Sequence, residues 1–149
     1  MSDLSELYQE VILDHNRSPR NFAKPPETNR TSEGFNPLCG DEVTIHLDLE
    51  DGIIRDIGFQ GSGCAISKAS ASVMTTLVKG HTVAEADALF ERFHHLVTVG
   101  ATEAEEEDLG HLIVFAGVHD YPSRVKCASL PWHTLRAALH DAAARVTTE

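Results

Sequence analysis

The chain has 149 residues, of which 42% are hydrophobic and 23% are charged. This length and composition are typical of one globular domain with a buried core, and they exclude disordered and collagen-like chains. The formal net charge of −11 would repel nucleic acids and anionic membranes, so we expect neither as a partner. We therefore predict a single domain over residues 1–149, whose partners are small molecules, cations or basic protein surfaces.

The first ten residues do not resemble a secretory signal, because Asp3, Glu6 and Glu10 stand where a basic stretch and an apolar core would be needed. No apolar run is long enough to span a bilayer. We therefore expect a cytoplasmic protein. The three cysteines are an odd number, which cannot form a closed set of disulfides and, in a reducing compartment, favours metal binding or thiol chemistry.

The N-terminal part of the sequence predicts a helix, a long loop and a β-hairpin. Apolar residues at helical spacing predict a helix from Asp3 to about Asn16, and four prolines within residues 17–38 predict an extended loop with room for one strand. Alternating apolar and polar residues predict a strand over 42–50, and residues 53–60 continue as a second strand. Asp51-Gly52 between them is typical of a two-residue turn with positive φ.

The second half of the sequence predicts four helices. The first spans residues 64–79 with Gly80 as its C-terminal cap, and Thr82 and Glu85 form a capping box for the second. An acidic cluster at 103–108 leads into the third helix, residues 118–126 form a loop, and the last helix begins at 129–131. Together these elements predict an α+β fold in which helices cover a small antiparallel β-sheet.

The hairpin predicts that two distant cysteines meet at one edge of the sheet. If the residues that flank the Asp51-Gly52 turn face each other, the same register places Cys39 opposite Cys64 and Asp41 opposite Ser62. Opposed Cα atoms of an antiparallel pair lie about 4.5–5.5 Å apart, which allows two thiolates to share a tetrahedral metal ion.

Cys127 is the third candidate for the same site. Cys64 opens a predicted helix and Cys127 precedes one, and helix N-termini lower the pKa of a thiol. Arg124 and Lys126 add positive charge that would offset three thiolates and the Asp41 carboxylate around Zn²⁺. Two alternatives stay open at this point: His119 or His133 as the fourth ligand, and cysteines that are simply small buried apolar residues.

Three motifs contain these candidate residues, and together they resemble the signatures of the U-type iron–sulfur assembly proteins. The motifs are NPLCGD at 36–41, GSGCAIS at 61–67 and RVKCASLPW at 124–132, and residues 7–22 resemble that family's opening helix and loop. Within the superfamily that includes IscU and the NifU N-terminal domain, the chain is more similar to the SufU branch than to the IscU scaffolds. Lys126 stands where scaffolds typically have His, and the stretch between Cys64 and Cys127 is long.

The resemblance implies a zinc-dependent sulfurtransferase that works with a SufS-like cysteine desulfurase and with downstream iron–sulfur assembly proteins. It implies that Cys39, Asp41, Cys64 and Cys127 are the zinc ligands and that Cys39 is the catalytic sulfur acceptor. Arg124 and Lys126 would support the site. We expect the glycines beside the ligands to give their loops freedom to exchange a ligand.

Three other functions are compatible with the same residues to different degrees. A scaffold that assembles an iron–sulfur cluster would use the same four positions, although Lys126 counts against it. A purely structural zinc module is disfavoured because the hard carboxylate of Asp41 suits a labile site better than a closed one. A cysteine hydrolase would need a histidine oriented beside one thiol, and no spacing in the sequence supports one.

Overall fold

The computed structural model describes the backbone of residues 3–37, 40–100, 110–140 and 143–147, and the side chains of these residues except 3–8, 110, 111, 113, 119, 120 and 143–147. The helices are α1 (Asp3–Arg17), α2 (Ala65–Val78), α3 (Val83–Val99), a 3₁₀ helix (Gly110–Asp120) and α4 (Pro122–His140). The strands are β1 (Arg30–Asn36), β2 (Asp41–Glu50), β3 (Ile53–Ser62) and β4 (Ala143–Thr147).

The four strands form one sheet in the order β3-β2-β1-β4. The strands β1, β2 and β3 are antiparallel neighbours, whereas β4 runs parallel to β1. The predicted hairpin is confirmed, since Asp51 and Gly52 have φ angles of 55° and 75° and form its turn. The strand expected within the long N-terminal loop is β1, and β4 was not predicted.

The register of the hairpin differs from the prediction by one residue. Leu49 pairs with Ile54 as expected, but Asp48 pairs with Asp56, so Arg55 is an extra residue in a β-bulge. The shift continues to the sheet edge, where Ser62 faces Glu42 and not Asp41. The expected pairing of Asp41 with Ser62 is therefore wrong, because the bulge consumes one residue of β3.

The helices cover one face of the sheet. The helix α4 packs against β1 and β2, and α2 packs against β3 and α4. An aromatic cluster lies between α3, α4 and the 3₁₀ helix, with the Phe93 ring stacked on Trp132 at 4.6 Å between centroids and edge-on to Phe115 at 5.8 Å. The predicted α+β class with a helix-covered antiparallel sheet is confirmed, with the parallel strand β4 as an addition.

The predictions for α2 and α3 are also confirmed. Cys64 is the N-cap of α2, and Gly80 follows its C-terminus with a φ of 86°. Thr82 and Glu85 form the expected capping box of α3, with both reciprocal hydrogen bonds present.

The C-terminal helices differ from the prediction. Residues 110–120 form a 3₁₀ helix instead of an α-helix, and Leu112 and residues 114–116 and 118 in it are buried. The acidic cluster at 103–108 lies outside the described residues. The helix α4 begins at Pro122, inside the segment that was predicted to be a loop. Proline is favourable at the first position of a helix, since its missing N–H would have no intrahelical partner there.

The long loop after α1 is tied to the core by hydrogen bonds of its backbone and of one side chain. The Arg20 N–H donates to Ser72 Oγ at 2.8 Å, and Asn21 Nδ2 donates to Thr75 Oγ1 at 3.0 Å, so the loop is fixed along α2. The Phe59 N–H donates to the carbonyl oxygen of Asn21 at 2.9 Å, which covers part of the free edge of β3.

Candidate metal centre

Three of the four predicted ligands come together where β2, α2 and α4 meet. Asp41 is the first residue of β2, Cys64 caps α2, and Cys127 lies in the second turn of α4. One carboxylate oxygen of Asp41 and the two Sγ atoms all lie within 4.8 Å of one another. A search of the described His, Cys, Asp and Glu side chains for three or more donors close enough together to hold a metal ion finds this group.

The Asp41 carboxylate is fully buried, and its two oxygens have different environments. Oδ1 accepts a hydrogen bond from the Cys64 N–H at 2.9 Å. A Cβ at Gly63 would lie 2.5 Å from this Oδ1, so the close approach requires glycine. Oδ2 is buried and has no hydrogen-bond partner in the described part of the chain. A buried carboxylate oxygen without a partner is costly in an apolar environment, and a cation would remove that cost.

Gly63 also has a steric role that the sequence did not indicate. The sequence suggested that this glycine gives a ligand loop freedom to move. In the structure it permits contact between the backbone beside Cys64 and the Asp41 carboxylate.

The surroundings of Cys64 lower the pKa of its thiol. A hydrogen bond with Cys127 is the main cause that lowers the pKa of the Cys64 thiol from 9.0 to about 6, and the N–H groups of Ser67 and Ile66 lower it further. Burial and the Asp41 charge act in the opposite direction. The predicted helix N-terminus is present at Cys64, whose Sγ accepts from the Ser67 N–H at 3.4 Å.

The environment of Cys127 differs from the prediction. Cys127 does not precede a helix but lies inside α4 and is fully buried, so the argument from a helix N-terminus does not apply to it. Asn36 Nδ2 donates a hydrogen bond to Cys127 Sγ at 4.0 Å. Four residues after Cys127, Pro131 has no N–H to donate to the Cys127 carbonyl oxygen, which weakens the regular helix at this point.

A buried hydroxyl fixes α4 to α2 beside the site. Ser70 Oγ donates to the carbonyl oxygen of Ala128 at 2.6 Å and accepts from Trp132 Nε1 at 3.2 Å. Ser70 lies on the helix that Cys64 caps, and Ala128 follows Cys127. The contact therefore fixes the two helices that carry the thiols.

The donor set of two thiolates and one carboxylate fits Zn²⁺, which accepts sulfur and oxygen ligands in tetrahedral sites. The partnerless Asp41 Oδ2 supports this fit. Cys39, the fourth predicted ligand and the predicted sulfur acceptor, lies outside the described residues. Arg124 is exposed and Lys126 is half-buried in the first two turns of α4, and their support of the thiolates stays a prediction.

The histidines have other surroundings. His133 packs edge-on against Phe90 at 5.1 Å between centroids, and burial is the main cause that lowers its pKa, followed by the charges of His94 and Arg136. The side chain of His119 is not among the side chains that the structure describes. His15 and His46 are both buried. The His15 ring is hydrogen-bonded to Ser72, and the His46 ring is hydrogen-bonded to Thr31 and Gln60.

Sequence reasoning missed the contribution of Asn36. This residue belongs to the NPLCGD motif, but its contact with Cys127 depends on β1 pairing with β2. Asn36 faces Asp41 in that pairing. A prediction of how β1 pairs with β2 would have placed Asn36 opposite Asp41 and so at the site.

Comparison with known proteins identifies the family of the chain. The family profile described as NifU-like N terminal domain matches residues 7–128. The chain belongs to this family, which includes iron–sulfur cluster assembly scaffolds and SufU proteins.

Individual relatives carry both kinds of name. A protein of Thermotoga maritima named iron–sulfur cluster assembly scaffold protein IscU is 38% identical over 133 residues, covering 89% of this chain and 92% of the relative. A protein of Bacillus subtilis named zinc-dependent sulfurtransferase SufU is 36% identical over 134 residues, covering 90% of both chains. The solved structure of a SUF-system scaffold protein (FiSufU) of Fervidobacterium islandicum AW-1 superposes with a TM-score of 0.81 at 37% identity, covering 90% of this chain and 97% of that one.

No helix in the described ranges combines the length and the apolar composition that a membrane crossing needs.

Proposed function

We propose that the protein is a zinc-dependent sulfurtransferase of iron–sulfur cluster assembly, which accepts persulfide sulfur from a cysteine desulfurase onto Cys39. Zinc would be held by Cys39, Asp41, Cys64 and Cys127. The observation that carries the proposal is the convergence of Asp41, Cys64 and Cys127 around a buried carboxylate oxygen without a partner. Similarity to the B. subtilis protein named zinc-dependent sulfurtransferase adds support.

Bound zinc would keep the thiolates deprotonated without taking part in redox chemistry. The reaction itself is an exchange between sulfur atoms. The Cys39 thiolate attacks the outer sulfur of the desulfurase persulfide, a new S–S bond forms, and the old S–S bond breaks. The electron pair of the broken bond leaves on the desulfurase cysteine as a thiolate, so the step needs no oxidant or reductant.

The first experiment identifies the metal. Protein purified without oxygen should contain one zinc per chain, and X-ray absorption should find three sulfur ligands and one oxygen or nitrogen ligand. Iron and sulfide with the absorbance of a cluster, in place of zinc, would overturn the proposal.

The second experiment identifies the sulfur acceptor. The protein is incubated with a cysteine desulfurase and cysteine, and the persulfide is located by mass spectrometry. We expect it on Cys39, and we expect Cys39→Ala to abolish transfer. Persulfide on another cysteine at the wild-type rate in this variant would show that the acceptor assignment is wrong.

Asp41→Ala separates zinc binding from transfer in the same assay. If Asp41 is the ligand that opens the site, this variant should fold and retain some zinc through its thiolates, but transfer sulfur more slowly. Wild-type transfer by Asp41→Ala would contradict a role for the carboxylate in the reaction.

A second candidate function is a scaffold for cluster assembly, favoured by the similarity to the T. maritima scaffold protein. The same donors would then hold an iron–sulfur cluster. Reconstitution with iron and sulfide distinguishes the two functions. A stable cluster that is passed to an apo-protein supports the scaffold, whereas faster desulfurase turnover by zinc-loaded protein supports the sulfurtransferase.

A further inference from the structure

Asn36 is a fully buried polar residue next to the metal centre that the proposed ligand set does not use. It ends β1 and faces Asp41 across the strand pair. Its carbonyl oxygen accepts a hydrogen bond from the Gly40 N–H at 2.8 Å, which brings together the two ends of the segment that contains Cys39 in the sequence. The backbone of Asn36 therefore holds the residues just before and at the start of β2, Gly40 and Asp41, next to the end of β1.

The side chain of Asn36 makes a second link, to α4. Its Nδ2 donates to Cys127 Sγ at 4.0 Å, and the other described thiol, Cys64, accepts from the Ser67 N–H at 3.4 Å. Each of these two sulfurs thus receives an N–H from the protein. Such hydrogen bonds favour the thiolate and withdraw electron density from it, which makes the sulfur less reactive towards electrophiles.

We infer that Asn36 is a positioning residue that holds Cys127 as an anchored thiolate, a metal ligand that does not itself accept sulfur. Mutating a residue that orients a metal ligand by hydrogen bonding typically lowers the metal affinity by about 10- to 100-fold. This inference rests on the proposed function and deepens it, because it assigns Cys127 an anchoring role and not the role of sulfur acceptor.

The direct test uses the wild-type protein loaded with ¹¹³Cd²⁺ in place of zinc. A proton that is hydrogen-bonded to a cadmium-bound sulfur shows scalar coupling to the cadmium nucleus. We expect a proton–cadmium correlation at the Asn36 side-chain amide, next to one at the Ser67 backbone N–H. A spectrum with the Ser67 correlation and none at Asn36 would overturn the inference.

Two variants test the consequence for reactivity, with a matched control. Asn36→Ala removes the amide, and Asn36→Asp keeps its shape without the N–H donor. Thr134→Ala removes another buried polar group, whose Oγ1 donates to the Leu130 carbonyl on α4 at 2.7 Å, away from the sulfurs.

In both Asn36 variants we expect the zinc affinity to fall by about tenfold or more. We expect the sulfur-to-metal charge-transfer bands of the Co²⁺ form to shift. In the zinc form, Cys127 should react about tenfold faster with iodoacetamide than it does in the wild-type protein. Thr134→Ala should change none of these. Folded Asn36 variants with wild-type affinity, spectrum and Cys127 reactivity would overturn the inference.

The two proposals fail in different ways. Absence of a metal bound through Cys127 in the wild-type protein would contradict the proposed function. A normal metal site that does not respond to the Asn36 substitutions would contradict this inference alone. If Asn36→Ala does not fold, Asn36→Asp and the cadmium spectrum decide.

Discussion

Gly63 is the residue at which a single methyl group would disturb the site most directly. A Cβ there would lie 2.5 Å from Asp41 Oδ1, closer than side chains approach in proteins. We expect Gly63→Ala to displace the carboxylate from the Cys64 N–H and to weaken zinc binding by about tenfold or more. Competition with a chromogenic chelator measures the affinity.

Gly117→Ala is the matched control, because its Cβ would have no atom within 4 Å. This control should bind zinc as the wild-type protein does. Equal affinities for Gly63→Ala and Gly117→Ala would show that the contact at Asp41 does not matter for the metal.

The Cys64 thiol should titrate well below an ordinary cysteine in the metal-free protein. Because its pKa is lowered to about 6, mainly by Cys127, the thiolate fraction rises as the pH increases through 6. Peptide-resolved iodoacetamide labelling against pH measures this midpoint. Cys127→Ala should move the midpoint upwards, and a wild-type midpoint near 9 would contradict the arrangement.

At the scale of elements, the contact of α2 with α4 keeps the two thiols together. Ser70→Ala would leave the Trp132 indole N–H buried without its partner and remove one hydrogen bond from the Ala128 carbonyl. A buried polar group that loses its partner costs about 1–3 kcal/mol. We expect the free energy of unfolding, measured in urea, to fall by about that amount.

Thr76→Ala on the same helix provides the comparison, since the hydrogen bond of its Oγ1 in the described part of the chain goes to the Val73 carbonyl within α2. It should change the free energy of unfolding by less than about 0.5 kcal/mol. Similar losses for both variants would show that the bridge between α2 and α4 has no special weight.

The elements that could be predicted from the sequence are those with a strong local signal. The Asp51-Gly52 turn and the Thr82–Glu85 capping box were found because a few adjacent residues determine their geometry. The bulge at Arg55, the strand β4 and the start of α4 were missed. Each depends on pairing or packing with a distant segment, which local patterns do not contain.

The candidate site was predictable for a related reason. Even with the one-residue error in register, Asp41 and Cys64 reach the same edge, because a hairpin keeps its two strands adjacent whatever its bulges do. Cys127 was also a candidate before the motifs were compared, but its position inside α4 differs from the helix start that the local pattern indicated.

For the whole molecule, metal and fold should be coupled, because the three donors belong to β2, α2 and α4. A metal present at about a thousand times its dissociation constant stabilises the folded state by about 4 kcal/mol. In a domain of this size, that corresponds to a change of about 10 °C in the melting temperature. We expect chelation to lower the Tm by about this amount.

The control for chelation is a protein with both Cys64 and Cys127 replaced by alanine, which should melt at the same temperature with and without chelator. An unchanged wild-type Tm after verified zinc removal would show that the fold does not depend on the metal.

The position of Cys127 in the last long helix also has a consequence for how the protein is made. A ribosome delivers Asp41 and Cys64 early, with the hairpin and α2, but Cys127 emerges only with the first turns of α4. A nascent or prematurely terminated chain therefore lacks the complete cluster. A site occupied through all three of these donors therefore reports that the chain has been translated and folded at least as far as Cys127.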